Sequence, residues 1–112
     1  MNIVILRGTL SSDPVSRDLA SGSVLVSLEL TTTVDETAIS VPVAWFDPTK
    51  EVTFSAGDAL VVTGSVRRRF FRSEGRTQSR TEVVATDVVP AGRAKQVTAA
   101  LARAMARTEV AA

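Results

Sequence analysis

The chain has 112 residues, with 13 lysines and arginines against 12 acidic residues, a net charge of +1, and neither cysteine nor histidine. That length suits one compact domain able to bury roughly two thirds of its unfolded surface. The missing thiol and imidazole exclude disulfides, thiolate nucleophiles, the usual zinc ligands and histidine proton transfer near neutral pH. No apolar run approaches the roughly 20 residues that cross a bilayer. The stretch from Met1 to Arg7 carries no basic region and is too short in apolar residues for a secretory signal. A soluble, cytoplasmic protein with no membrane partner is therefore expected.

Taken in chain order, Asn2 to Leu10 reads as a first strand rich in Ile, Val and Leu. Ser11, Ser12, Asp13 and Pro14 close it with turn chemistry. Gly8 inside it marks a bulge or sharp coil of the kind that a small closed barrel needs. After Ser21 and Gly22 a second strand runs from Ser23 to Thr33. There Val24, Val26, Leu28 and Leu30 alternate with Leu25, Ser27, Glu29 and Thr31, so one face is buried and the other is mostly polar. Val34 to Thr37 is a short acidic connection. A third strand from Ala38 to Phe46 puts Ile39, Val41, Val43 and Trp45 on one face and Ser40, Pro42, Ala44 and Phe46 on the other. Pro42 cannot donate to a ladder, which places an edge or a bulge near it. Thr49 to Ser55 reads as a short helical turn or loop offering Val52 and Phe54 as apolar contacts.

A fourth strand follows Ala56, Gly57 and Asp58, and Ser73 to Arg76 is the natural tip of a hairpin that returns through Thr81 to Val89. Five short strands with one brief insert after the third predict an all-β, five-stranded Greek-key barrel over residues 1–92. Beyond Gly92 the composition turns alanine-rich and basic, and residues 93–112 form a second segment. A C-terminal α-helix is expected there, with Val97, Leu101 and Met105 in a narrow contact stripe beside Ala104. This helix packs on its own barrel, mediates oligomerisation, or extends a basic binding surface.

Charge is distributed unevenly along this framework. Residues 67 to 80 hold Arg67, Arg68, Arg69, Arg72, Arg76 and Arg80 against Glu74 alone, a local charge of +5 that leaves −4 over the rest of the chain. One reading is a solvated strand end whose charges prevent edge-to-edge aggregation. The other follows from alternation, which places Arg67, Arg69 and Phe71 on one face and Arg68, Phe70 and Arg72 on the other. Cations interleaved with rings suit single-stranded nucleic acid, because guanidinium groups follow phosphates while bases stack on aromatic side chains. Phe71 is the better stacking candidate. Phe70 continues the parity of Leu60, Val62 and Val66 and is read as a barrel-end core residue. Trp45, the sole tryptophan, either plugs the barrel or an interface, or stacks on a base at the end of the third strand. The apolar residues sharing its face call for partial cover, and self-association is the simplest.

No catalytic constellation emerges, since Asp13, Asp35, Glu36, Asp47 and Asp58 all occupy turn-like contexts where carboxylates cap backbone amides. Neither Gly8 nor Gly22 precedes a helix in the setting that a phosphate-cradling loop requires. The expectation is a non-enzyme with no cofactor and no metal.

Over roughly residues 2 to 92 the chain resembles the bacterial single-stranded DNA-binding protein family, built on the OB-fold. The likeness rests on Asn2 to Leu10, on Asp13 and Pro14 with Arg17, on Gly22, and on Trp45 closing the third strand. Its most specific carriers are Gly64 to Phe71 and the returning Thr81 to Val84. The resemblance implies base stacking at Trp45 and Phe71 and backbone contacts from Arg67, Arg69, Arg72, Arg76 and Arg80. It further implies single-stranded DNA as partner in replication, recombination or repair, a nucleoid-associated location, and a homo-oligomer, with a tetramer favoured over a dimer. Ile39 stands where many members carry another stacking tryptophan, and the segments 33–38 and 47–55 are short for the family. The basic helix replaces the usual disordered linker and acidic tip, which argues against tail-mediated recruitment and for an accessory or divergent member. Two alternatives stay open: an OB-fold interaction or assembly module that binds no DNA, and an RNA-binding OB protein.

Overall fold

The computed structural model describes residues 1–110. Its strands are β1 (Val4–Leu10), β2 (Val15–Asp18), β3 (Val24–Val34), β4 (Thr37–Phe46), β5 (Ala59–Ser73) and β6 (Arg76–Pro90), followed by helix α1 (Ala94–Val110). The strand order β1-β5-β6-β4-β3, together with pairing of β1 to β3, closes five strands into a barrel, and β2 adds to the open side of β3. All ladders are antiparallel except β4 with β6. This is the Greek-key topology of an OB-fold barrel with a C-terminal helix, as the sequence predicts.

The alternation of the strands builds the core directly. Leu10, Val26, Leu28, Leu30, Val43, Leu60, Val62, Val83 and Val88 point inward from five strands and form one buried cluster. Closure depends on β1 changing partners, because Gly8 and Thr9 still pair with β5 while Thr9 and Leu10 pair with β3. A Cβ on Gly8 would run into the carbonyl oxygen of Thr31, so only glycine lets β1 cross β3 this closely. Gly64 plays the same part at the register shift between β5 and β6, where a Cβ would meet the carbonyl oxygen of Val84.

Both long hairpins end in two-residue turns with positive φ at each central residue, Asp35 and Glu36 in one, Glu74 and Gly75 in the other, as the right-handed twist of paired strands demands. The two ladders flanking β5 and β6 run out early. β1 pairs with β5 only as far as Gly64, and β4 meets β6 only at Val83 and Val84. From Arg67 to Ser73 and from Arg76 to Glu82 these strands pair only with each other, forming a two-stranded arm about 20 Å long.

One difference from the sequence reading concerns this frame. The short strand β2 is not expected, because Val15, Ser16, Arg17 and Asp18 are all exposed and carry no alternating apolar signal; its pairing with Val24 to Ser27 of β3 alone defines it. Of the two forms expected for 49–55, helical turn or loop, the structure has the loop, and it delivers Val52 and Phe54 to the core as expected. Pro42 lies opposite Glu29 and one residue before the β4–β6 ladder begins, where its missing N–H breaks no bond to β6.

Helix α1 packs on its own barrel. Ala100 and Ala104 are fully buried, and Ala100 and Val97 lie against Val61, Val89 and Ala91. Arg103 donates two hydrogen bonds to Asp87, at 2.9 and 3.3 Å, fixing the helix over β6. The expected Val97, Leu101, Met105 stripe is corrected in part: Val97 packs on the barrel, but the small Ala100 and Ala104 are the buried residues of the helix and Met105 is 59% exposed. Among the described residues, no helix is long and apolar enough to cross a membrane.

Candidate nucleic-acid interface

The outer face of β3, β4, β5 and β6 frames a groove of about 600 Å³ whose lining includes Glu29, Phe46, Arg67, Arg69, Arg80 and Glu82. Strand register brings these residues together, since Arg67 faces Glu82 and Arg69 faces Arg80 across β5 and β6. Glu82 is only 5% exposed. It accepts a hydrogen bond from Nε of Arg67 at 2.9 Å, pairs with Nη2 of the same guanidinium at 2.7 Å, and has Nε of Arg69 at 3.6 Å. Arg80 pairs with Glu29 at 2.9 Å, and Glu29 also accepts a hydrogen bond from the Ser40 hydroxyl. A buried carboxylate holding two guanidinium groups fixes their position in a way that solvated arginines lack.

Each of those guanidinium groups also covers a ring. Arg67 lies 5.2 Å from the centroid of Phe46, and Arg69 lies 5.2 Å from that of Phe71, within the range of cation–π attraction. The result is a row in which two rings flank two cations, Phe46 of β4 beside Arg67 in the groove and Phe71 of β5 beside Arg69 just beyond it. Phe46 is the member that the sequence reading missed. Its signal was present in the alternation, which sets it on the outer face of β4, but the sole tryptophan next to it drew the assignment.

Trp45 stands on the opposite side of β4. It packs against the core cluster, with its ring stacked on Phe54 at 6.4 Å between centroids and 29° between planes. Its remaining open edge lines a separate cleft of about 600 Å³ between the 47–54 loop, β6 and helix α1. The structure thus brings Arg67, Arg69, Phe71 and Arg80 together, extends their face to Arg76 by register, and leaves Trp45 apart from them. Arg72 lies on the other face of the arm, where its Nη2 donates to the Gly75 carbonyl at 3.0 Å.

Phe70 requires a correction. It is 67% exposed rather than part of the barrel-end core. Its parity does match that of Leu60 and Val62, but the barrel has already ended by this position and the same face of β5 opens onto solvent.

The carboxylates in turns serve the backbone. Asp13 accepts the amide of Ala56, Asp47 that of Val24 and Asp58 that of Ser55, each at 2.8 or 2.9 Å. Among the described residues, no group of three or more acidic side chains could hold a metal ion. Neither a protein-family model nor a curated protein matches the chain.

Proposed function

We propose that this protein binds single-stranded DNA without marked sequence preference, as a homo-oligomer working in replication, recombination or repair. The observation that carries the reading is the row of Phe46, Arg67 and Arg69 along an open groove on the barrel's outer face, continued past its end by Phe71 beside Arg69. Bases have a π-face whatever their identity, so a ring in such a row accepts any of them, and neighbouring cations attract the phosphates between. The face formed by the second and third barrel strands is also the one on which OB-folds hold oligonucleotides, and β3 and β4 occupy those places here. In this reading Phe46 and Phe71 are the base platforms. Arg76 contacts phosphate, Arg69 and Arg80 stand beside the strand's path in their ion pairs with Glu82 and Glu29, and Trp45 serves the packing of the barrel.

Fluorescence anisotropy with labelled oligo(dT) tests the assignment. The Phe46→Ala, Phe71→Ala double variant is expected to lose at least about thirtyfold in affinity, since each stacked base contributes on the order of 1–3 kcal/mol. Trp45→Leu is expected to stay within about twofold of the parent affinity while losing about 1–3 kcal/mol of stability, because it removes packing volume rather than a platform. Absence of binding to any oligonucleotide would refute the proposal. Tighter binding of a matched oligo(U) in competition would move it to RNA.

A further inference from the structure

The two faces of the β5–β6 arm differ in how their charges are spent. On the outer face, Arg67 and Arg69 answer Glu82, and Arg80 answers Glu29. On the opposite face stand Arg68, Phe70 and Arg72, facing Thr81, Ser79 and Thr77 across the ladder. Neither Arg68 nor Arg72 forms an ion pair with a carboxylate among the described residues. Of the arm's three arginines without a carboxylate partner among the described residues, two therefore lie on the face away from the groove, while Arg76 stands at the tip on the groove side.

That face also has its own ring. Phe70 is 67% exposed, and strand spacing sets Arg68 and Arg72 about 7 Å to either side of it. The residues across from the three are all hydroxyl-bearing, so the ring rises from a polar surface and is not part of an apolar patch. An exposed phenylalanine between two guanidinium groups that no carboxylate neutralises matches a ligand that offers both a flat ring and flanking negative charge. A second copy of this chain would have to supply a carboxylate cluster and an apolar pocket to fit the same surface.

We infer that the arm binds single-stranded nucleic acid on both faces, with Phe70 as a further base platform and Arg68 and Arg72 as phosphate contacts on the side away from the groove. The strand passes over the tip at Glu74 and Gly75, where the arm is one hairpin wide. This inference rests on the binding function proposed above and adds a second contact surface to it.

The test uses the full chain and an oligo(dT) of about 30 nucleotides, long enough to exceed the roughly 4–16 nucleotides that one OB-fold occupies. Phe70→Ala is expected to weaken binding by about fivefold or more with little change in melting temperature, since the ring is 67% exposed and belongs to neither buried cluster. The Arg68→Ala, Arg72→Ala variant is expected to reduce the magnitude of the salt slope of log affinity by about 1.4, two single-strand phosphate contacts. If Phe71→Ala weakens binding while both of these variants match the parent, the inference is overturned and the groove reading survives. If the parent binds no oligonucleotide, both fall together. If Phe70→Ala lowers the mass measured by sedimentation while the arginine variant keeps the parent salt slope, the face is a contact between copies and the inference is overturned.

Discussion

A carboxylate as buried as that of Glu82 is tolerated because Arg67 and Arg69 reach it, and their charge is in turn held in place by it. This coupling links the stability of the barrel's rim to the affinity of the groove. Glu82→Gln keeps the shape and one acceptor but removes the charge that holds both guanidinium groups. The expected loss is about 1–3 kcal/mol in chemical denaturation, accompanied by tighter oligo(dT) binding at low salt and a salt slope steeper by as much as about 1.4. Stability and affinity thus move in opposite directions. Parallel loss of both would mean that Glu82 orients the arginines for the ligand more than it competes with it. Phe46 and Trp45 show the same dependence of role on side: adjacent in sequence, one ring sits under Arg67 in the groove and the other against Phe54 in the barrel.

At the scale of elements, the arm is separable from the barrel. Its residues beyond Glu82 contribute nothing to the buried clusters, and its tip is closed by an ordinary two-residue turn. Replacing residues 70–79 by Asn-Gly, a pair suited to that turn, joins Arg69 to Arg80 without disturbing the Glu82 pairs. The shortened protein is expected to melt within about 1 kcal/mol of the parent, as surface changes away from packed features do. Its oligo(dT) affinity is expected to fall by at least tenfold through loss of the two arm rings, at about 1–3 kcal/mol per base. Equal affinity would place the binding surface elsewhere on the barrel. The arm also shows where sequence reading reaches its limit. The alternation of Arg67, Arg69 and Phe71 against Arg68, Phe70 and Arg72 is a local property of a strand and was legible. Whether that face points into a core depends on where β1 and β4 stop pairing, opposite Gly64 of β5 and Val83 of β6, which no pattern within residues 60–73 records. The same cause hid β2, defined only by its neighbour β3, and the contact stripe of α1. There the small Ala100 settles onto Val61 and Val89 and Ala104 is buried with it, while the larger Met105 stays exposed.

For the molecule as a whole, the count of arginines and their available charge are different quantities. Six arginines between residues 67 and 80 could each release a counterion from a phosphate, and at about 0.7 per single-strand contact they give a salt slope near −4. Three of the six, Arg67, Arg69 and Arg80, are held by Glu82 and Glu29. A guanidinium group held in an ion pair with a carboxylate makes no contact with a phosphate while the pair stays closed. Arg68, Arg72 and Arg76 remain, and they give a slope of about −2 per protomer. A titration of oligo(dT) affinity between about 50 and 200 mM salt, referred to one protomer, separates the two values, since the first predicts a loss of a few hundredfold and the second a loss of about twentyfold. The shallower slope is expected, with stacking on Phe46, Phe70 and Phe71 supplying the salt-insensitive remainder. A measured slope near −4 would mean that the ion pairs open when the strand binds, so that Glu29 and Glu82 act as internal competitors displaced by phosphate. In that case Glu82→Gln would leave the slope unchanged while raising the affinity, which distinguishes displaced pairs from pairs that stay closed.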